Sequence, residues 1–365
     1  MTKFKRNLAI VGIAVIAILS AALSANAEPF VYVPMGGDGK INVIDTATDK
    51  IVSTFEGLEA VHGLAGTPDG QFLIAGSFTE RSIGETPSKP TGVTEDEHAA
   101  HHKIPEAKSQ KSDAVSISTV SVVRVDSGKI VRAIDVPGAV HHVTVSTDGQ
   151  YAVVVRPNEN EISVIDLKSF DVVGNIATGE LPNYSVFSPD DTRLFVSNAG
   201  DNTISVINAG TWTLETTIDV GASPEHIVLS NDGKILYVNN VDDGSVSVVD
   251  TESKQTVKTI KVASTLHGID LSEDGTALFV AARDDDKLAK INLSSGLVQT
   301  VTLAPSPYHV AAITGTRKIY VSSSDEDKIW AISQQDLGVL RQILIGGKGH
   351  QIDGVKVPHQ PLIPY

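Results

Sequence analysis

Cysteine is absent from the 365-residue chain, and its absence removes several kinds of chemistry. Without a thiol the protein can form no disulfide, no thiolate bond to a metal and no cysteine nucleophile, and it can carry no covalently attached c-type haem. Lipid attachment to a cysteine after an export signal is excluded for the same reason. Metal binding or catalysis must therefore use histidine, carboxylate, serine or tyrosine side chains.

Positive charge is also scarce. The chain has 29 lysine and arginine residues against 44 aspartate and glutamate residues, which gives a formal net charge of −15. Such a surface repels phosphate backbones, and the sequence contains no local cluster of basic residues that would overcome this repulsion. The composition therefore predicts that the protein has no nucleic-acid partner.

Only one long apolar run is present, from Leu8 to Leu23. Basic residues precede it, and the small-residue pattern Ala25-Asn26-Ala27 follows it, as in export signals that a signal peptidase removes. The run is shorter than the roughly 20 residues that a membrane-spanning helix needs. The sequence thus predicts a signal peptide at 1–27, no membrane attachment after its removal, a periplasmic or secreted protein, and a mature net charge of −18 because three basic and no acidic residues are lost.

Internal repeats are the strongest pattern in the rest of the chain. "RLFVSNAGDNTISVINAGTWTLETTIDV", which begins at Arg193, and "ILYVNNVDDGSVSVVDTESKQTVKTIKV", which begins at Ile235, share one layout of three β-branched runs separated by turns. "ASPEHIVLSNDG" between them supplies a fourth strand. Four strands that recur every roughly 40 to 45 residues are typical of a propeller blade.

The first residue of each innermost strand recurs once per blade and can be used to count the blades. These positions, which we call the first column, are His62, His141, Asn183, Glu225, His267, Tyr308 and His350. Their spacings are 79, 42, 42, 42, 41 and 42, so seven blades are expected and only the first interval is irregular. The two chain ends are expected to complete one blade together, which closes the ring. The prediction is an all-β, seven-bladed propeller of four-stranded antiparallel blades that forms one domain over residues 28–365.

The irregular interval reflects an insertion at 79–117 in the first blade. It contains "EDEHAAHHKI", which places His98, His101 and His102 close together after an acidic run. Two interpretations stay open: a loop that collects metal ions, and a solvated insert without a function of its own. Because the insertion has little apolar content, we expect it to contribute almost nothing to the core.

Several motifs resemble the YVTN-type propeller repeats of exported bacterial and archaeal proteins, namely "LFVSNAGDNTISVIN", "ILYVNNVDDGSVSVVD" and "SPEHIVLSNDGKILYV". The resemblance covers nearly all of residues 30 to 357 and implies the fold more specifically than the function. Relatives of this architecture include the hub of nitrous oxide reductase, haem-bearing propellers of nitrite reduction, amine dehydrogenase subunits and periplasmic zinc metallochaperones. The chain departs from some of them, since it lacks cysteine for a copper electron-transfer centre and has only two tryptophans.

Histidines concentrate in two adjacent columns of the repeat. Ring closure makes blades 7, 1 and 2 consecutive, so His350, His62 and His141 should form an arc at the channel mouth, and we predict them as primary metal ligands with Glu225 and His267 in reserve. The second column contains His142, His226 and His309, interleaved with Gly63, Tyr184, Gly268 and Gln351. We predict a supporting role for these three histidines, although strand alternation leaves open which column reaches the axis.

The function predicted from these residues is capture of a transition metal, zinc or alternatively copper, at the channel mouth. The metal would be passed to a periplasmic metal-binding or transport protein, with the insertion as a mobile collector, as in the propeller-type zinc chaperones that the chain resembles. Zinc affinity should fall as the pH drops through roughly 6.5, because protonated imidazole cannot bind a metal.

Two alternatives stay open. One is a redox or enzymatic propeller with copper or a tetrapyrrole at the hub, and the other is a metal-free scaffold for protein interactions. No set of catalytic residues is recognisable, so the sequence favours binding over catalysis.

Overall fold

The computed structural model describes residues 29–83 and 116–355. Seven antiparallel sheets form a ring of blades around a central channel, which confirms the predicted fold class. In this part of the chain the helices are two short 3-10 turns, at Gly36–Asp38 and Pro157–Glu159. A membrane-spanning helix is not found within the described residues, because none of the helices there is long and apolar enough.

The strands follow the chain order predicted from the repeats. Blade 7 begins the chain with β1 (Phe30–Met35), β2 (Lys40–Asp45) and β3 (Lys50–Phe55). Blade 1 contains β4 (Val61–Gly66), β5 (Phe72–Ser77), β6 (Arg81–Ser82), β7 (Ser116–Arg124) and β8 (Lys129–Pro137). Blade 2 contains β9 (Val143–Val145), β10 (Tyr151–Arg156), β11 (Glu161–Asp166) and β12 (Asp171–Ala177). Blade 3 contains β13 (Pro182–Phe187), β14 (Arg193–Asn198), β15 (Thr203–Asn208) and β16 (Thr213–Asp219).

The remaining blades repeat the same layout. Blade 4 contains β17 (Pro224–Leu229), β18 (Ile235–Asn240), β19 (Ser245–Asp250) and β20 (Gln255–Lys261). Blade 5 contains β21 (Ile269–Leu271), β22 (Ala277–Ala282), β23 (Lys287–Asn292) and β24 (Val298–Thr302). Blade 6 contains β25 (Pro307–Ile313), β26 (Lys318–Ser323), β27 (Lys328–Ser333) and β28 (Val339–Leu344). The last strand, β29 (Asp353–Val355), returns to blade 7.

Ring closure joins the two ends of the chain in one sheet. Strand β29 pairs antiparallel with β1, so that Tyr32 lies opposite Asp353 and the order in blade 7 is β29-β1-β2-β3. This is the arrangement predicted from the repeats. Because blade 7 contains strands from both ends, it lies beside blade 1 and blade 6, and the first-column positions of blades 7, 1 and 2 become neighbours.

The hydrophobic core lies between blades rather than within them. One buried cluster, for example, joins Phe279 and Leu288 of blade 5 to Ile319 and Trp330 of blade 6. Each blade is a sheet with two faces, and each face buries its β-branched and aromatic side chains against the next blade. Seven such interfaces fix the inner strands at a constant distance from the axis and so position the channel residues.

The inner strands are irregular at the histidine columns. Register shifts interrupt β4, β13, β17 and β25 at Val61/Gly63, Pro182/Ser185, Pro224/Ile227 and Pro307/Val310. In blades 2, 5 and 7 the inner strand begins only after the two columns. A bulge turns two successive side chains away from the strict alternation of a regular strand, so both columns can face the central region.

The insertion begins and ends with strand pairing. Arg81 and Ser82 in β6 pair with Ile117 and Ser116 in β7, so the ends of the predicted segment 79–117 extend the ladder of blade 1. Residues 84–115 lie outside the described part of the chain. The three histidines predicted to collect metal, at positions 98, 101 and 102, therefore have no structural description.

Candidate metal centre on the channel axis

Three histidines of the second column converge on the channel axis. His142, His226 and His309 each offer a ring nitrogen, and these nitrogens lie within 4.8 Å of one another. The three residues, which we call the axial set, are 1%, 4% and 2% exposed. Within the described residues this is the one group of three or more metal-binding side chains that is close enough to hold an ion. The structure thus brings together the residues for which the sequence predicted a supporting role.

The axial set comes from alternate blades, 2, 4 and 6. Ring centroids are 4.9 Å apart for His142 and His226, 4.9 Å for His226 and His309, and 5.9 Å for His142 and His309. Side chains of non-adjacent blades can meet only on the axis. The bulges in the inner strands of blades 4 and 6, and the late start of the inner strand in blade 2, contribute to this convergence.

Two glycines in the same column make room for the axial histidines. A Cβ atom at Gly63 would lie 2.8 Å from the His141 carbonyl oxygen and 2.9 Å from the His142 Cα. A Cβ atom at Gly268 would lie 2.5 Å from the Tyr308 carbonyl oxygen and 2.9 Å from the His309 Cα. The backbones that carry two of the axial histidines therefore approach the preceding blade at a distance that only glycine permits.

Hydrogen bonding prepares His142 to bind a metal. Its Nδ1 lies 2.8 Å from the Asn183 carbonyl oxygen, and a carbonyl can only accept, so Nδ1 carries the proton. The Nε2 atoms of His142 and His309 are buried and have no hydrogen-bond partner among the described residues. This tautomer leaves the Nε2 lone pair of His142 available toward the axis.

Electrostatics keep two of the axial histidines, His142 and His309, neutral. Burial lowers the pKa of His142 and of His309 well below the usual 6.5, and the neighbouring histidines, His226 first among them, lower both pKa values further. Neutral imidazole is the form that binds zinc or copper. These two histidines therefore need no deprotonation to bind a metal near neutral pH.

The predicted arc forms, but its rings stack. His62 lies between His141 and His350, with ring centroids 4.5 Å apart in both pairs and interplanar angles of 28° and 30°. Nitrogen lone pairs lie in the ring plane, so stacked imidazoles direct them along similar directions instead of toward one point. His62 Nδ1 also lies 2.8 Å from the His141 carbonyl oxygen, which occupies that nitrogen.

The two predicted reserve ligands bind each other. Glu225 Oε2 lies 3.0 Å from His267 Nδ1, and both side chains are 3% exposed. Tyr308 stacks on His267 with 3.6 Å between ring centroids, and burial raises the pKa of its phenol well above 10. His267 also contacts His226 and His309 at 4.7 and 5.0 Å between centroids. Glu225 therefore orients His267 beside the axial set.

Two aspartates in the channel were missed from the sequence. Asp270 and Asp353 stand three residues after His267 and His350, in the inner strands β21 and β29 that follow those histidines. The other blades have Ala65, Thr144, Val186, Val228 and Ala311 at this position. Reading this third column of the repeat alongside the two histidine columns would have identified both carboxylates.

Comparison with protein families gives one match. The sequence profile "Lactonase, 7-bladed beta-propeller" matches residues 25–303 and 186–335. No curated protein sequence matches the chain.

Solved structures with the same fold share little sequence with the chain. A putative 6-phosphogluconolactonase from Bacteroides fragilis aligns with a TM-score of 0.69 and 15% identity over 91% of this chain and 99% of its own. A periplasmic gluconolactonase from Pseudomonas aeruginosa aligns with a TM-score of 0.68 and 18% identity over 90% and 99%. Hydrazine synthase from Kuenenia stuttgartiensis aligns with a TM-score of 0.59 and 19% identity over 75% and 76%. These similarities concern the fold.

Proposed function

Because the chain belongs to the seven-bladed lactonase propeller family, and because its axis carries three converging histidines, we propose that it is an exported propeller that binds a divalent transition metal, zinc, on His142, His226 and His309. The observation that carries the proposal is the convergence of three buried ring nitrogens within 4.8 Å. Three histidines are a set that zinc and copper favour, and three protein ligands leave one coordination position for water or a substrate.

The depth of the axial set supports a resident metal. Its ligands are at most 4% exposed, and the stacked arc of His350, His62 and His141 lies in the adjacent column, on blades 7, 1 and 2. Release of a metal from such a buried position is expected to be slow. The transfer to a partner protein that the sequence predicted needs rapid release, so slow exchange of bound zinc would separate a resident metal from a transported one.

Zinc binding by two matched groups of variants tests the site. His142→Ala, His226→Ala and His309→Ala are each expected to weaken zinc binding by about 10 to 100-fold or more, because each removes a ligand. The controls are His62→Ala, His141→Ala and His350→Ala, which remove an equal side chain from the arc and should change zinc affinity far less. The measurement is isothermal titration of the metal-free protein in competition with a chelator.

The same titrations can also contradict the proposed axial site. If the arc variants lose affinity and the axial variants keep it, the arc is the metal site, as the sequence analysis predicted. If all six variants bind zinc as the parent does, the hub binds no metal. Visible absorption of the cobalt-substituted protein adds a check, because four-coordinate cobalt with nitrogen ligands absorbs strongly and should lose this spectrum in the axial variants only.

Family membership favours a second function, hydrolysis of a small lactone. In this reaction a water molecule adds to the lactone carbonyl, the ring C–O bond breaks, and the ring oxygen leaves as a hydroxyl after taking a proton. A metal with one free position can polarise the carbonyl or lower the pKa of water. Acid release from glucono-δ-lactone, corrected for spontaneous opening, measures the activity. Loss of the activity in His226→Ala and on chelation, with recovery on zinc addition, would assign it to the axial set, whereas activity that survives both treatments would place it elsewhere.

A further inference from the structure

A second feature of the channel is a cavity of about 540 Å³ beyond the axial set. Its lining begins at Tyr184 and Gln351, which share the second column with the axial histidines, and continues along the inner strands to Pro68 and Thr314. The cavity therefore lies toward the ends of the inner strands, away from the first column. It is separate from the residues proposed to bind zinc, none of which lines it.

The cavity wall combines apolar side chains with uncharged polar ones such as Thr144, Ser185 and Gln351, and two carboxylates are its charged groups among the described residues. The third column described above contributes Ala65, Val186, Val228 and Ala311 along with Asp270 and Asp353. Among the described residues that line the cavity there is no lysine, arginine or histidine. The two carboxylates thus face the cavity without a basic side chain in its lining to balance their charge.

Backbone hydrogen bonds hold both carboxylates in place. Asp270 Oδ2 accepts the Ala312 N–H at 2.7 Å, and its Oδ1 accepts the Leu271 N–H at 2.7 Å. Asp353 Oδ2 accepts the Gly66 N–H at 2.7 Å, and its Oδ1 accepts the Gly354 N–H at 2.8 Å. Each aspartate therefore bonds to its own strand and to the next blade, and each oxygen retains capacity for another donor.

Burying the carboxylates of Asp270 and Asp353 does not favour folding. Burial first, with a smaller contribution from the charge of Asp353, raises the pKa of Asp270 to about 6, and burial raises the pKa of Asp353 to about 6. Ser185 also lines the cavity, is 2% exposed, and has a hydroxyl without a hydrogen-bond partner in the described part of the chain. Buried polar groups that lack partners inside the protein are typical of binding sites.

We propose that this cavity binds a small organic cation, a primary ammonium ion with a compact apolar group, whose N–H groups donate to Asp270 and Asp353. The ammonium has three donors for the oxygens of the two carboxylates, and the apolar group packs against Val186, Val228 and Ile313. Calcium fits the wall less well, because it takes six to eight oxygen ligands and the third column offers two carboxylates. The proposal is independent of the zinc site.

Isothermal titration with a charged probe and its neutral counterpart tests the cavity. We expect 1-butylammonium chloride to bind at least about tenfold more tightly than 1-butanol, because only the ammonium pairs with the carboxylates. Asp270→Asn and Asp353→Asn should each weaken 1-butylammonium binding about tenfold or more and leave 1-butanol unaffected. Asp126→Asn, at an exposed turn residue, is the matched control and should change neither affinity.

A second type of variant keeps the test informative if the asparagine variants fold poorly. Val228→Lys places an ammonium on the cavity wall, where it can reach the carboxylates and should abolish 1-butylammonium binding. His142→Ala should leave that binding unchanged, which separates this proposal from the zinc site. Equal binding of 1-butanol, unchanged binding in Val228→Lys and in both asparagine variants, or no binding of 1-butylammonium to the parent protein would each overturn the proposal.

Discussion

His142 shows how one side chain acquires its chemistry from its surroundings. The Asn183 carbonyl holds the proton on Nδ1, and burial among other histidines lowers the pKa of the ring. An isolated, solvated histidine would begin to lose its capacity for metal below a pH of about 6.5. In His142 the protonated form is disfavoured, so this loss should occur at lower pH.

The pH dependence of zinc binding follows from these pKa values. Protons compete with the metal for a histidine only when the pH approaches or falls below the pKa of that imidazole in the folded protein. This pKa lies well under 6.5 for His142 and His309. Zinc affinity should therefore fall less steeply as the pH passes through 6.5 than at a site of solvated histidines, and most of its decrease should come at more acidic pH. Titrations at a series of pH values with a non-protonating competitor measure this. A decrease centred near 6.5 would instead support the expectation for solvated histidines and contradict an axial site.

Gly63 and Gly268 allow a second prediction for single residues. A methyl group at either position meets backbone atoms at 2.5 to 2.9 Å, and the inner strands must shift to relieve the contact. We expect Gly63→Ala and Gly268→Ala to lower the free energy of unfolding by about 1–3 kcal/mol and to weaken zinc binding. Gly174→Ala is the control, since its Cβ would meet only Ile176 Cδ1 at 3.4 Å. Urea unfolding measures stability, and wild-type stability in both hub variants would contradict the close approach.

At the scale of a strand and its turn, the blades repeat one hydrogen-bonding device. In blade 4 the Ser230 hydroxyl donates to Asp232 at 2.8 Å and accepts the Ile235 N–H at 2.9 Å, which joins β17 to β18. Ser230→Ala should lower the free energy of unfolding by about 1 kcal/mol, the usual contribution of such a bond. Ser127→Ala, at an exposed turn between β7 and β8, should have no effect in the same urea titration. Equal effects of the two changes would mean that the turn bond does not stabilise the blade.

The inner strands also show what the sequence could and could not predict. The regular spacing from Asn183 to His350 predicted the number of blades, because the strands and turns of each blade have nearly the same total length. The meeting of His226 with His309 could not be inferred, because it depends on register shifts that rotate two successive side chains. A bulge adds no distinctive residue type to the sequence, so strand alternation suggested that one column would point away.

At the scale of the whole molecule, ring closure depends on more than strand pairing. The Lys318 ammonium in blade 6 donates to both carboxylate oxygens of Asp49 in blade 7 at 2.8 Å, and the Tyr320 hydroxyl also donates to Asp49. Asp49 is 8% exposed, so its charge has little contact with solvent. These hydrogen bonds from Lys318 and Tyr320 to Asp49 connect blade 7, which contains strands from both chain ends, to blade 6.

Removal of the lysine should open this contact. Lys318→Met is expected to lower the free energy of unfolding by about 3–5 kcal/mol, because it leaves a buried carboxylate without its cation. Lys129→Met, at an exposed position on β8, is the control. The two variants are compared by urea unfolding, and Asp49→Asn combined with Lys318→Met should recover part of the loss. If Lys318→Met and Lys129→Met unfold alike, the contact does not fasten the ring.

The number of blades has a geometric consequence for the axial set. Histidines on blades 2, 4 and 6 alternate with other residues, but an odd ring cannot complete the alternation, so blades 7 and 1 stand together without a histidine in the second column. Gln351 of blade 7 directs its amide to the backbone of Leu64 and Val143, and Gly63 of blade 1 has no side chain. Parity thus leaves the sector between blades 6 and 2 without a second-column histidine. The proposed zinc would have no protein imidazole on that side, so the odd blade number would determine where a fourth ligand, water or substrate, has to bind.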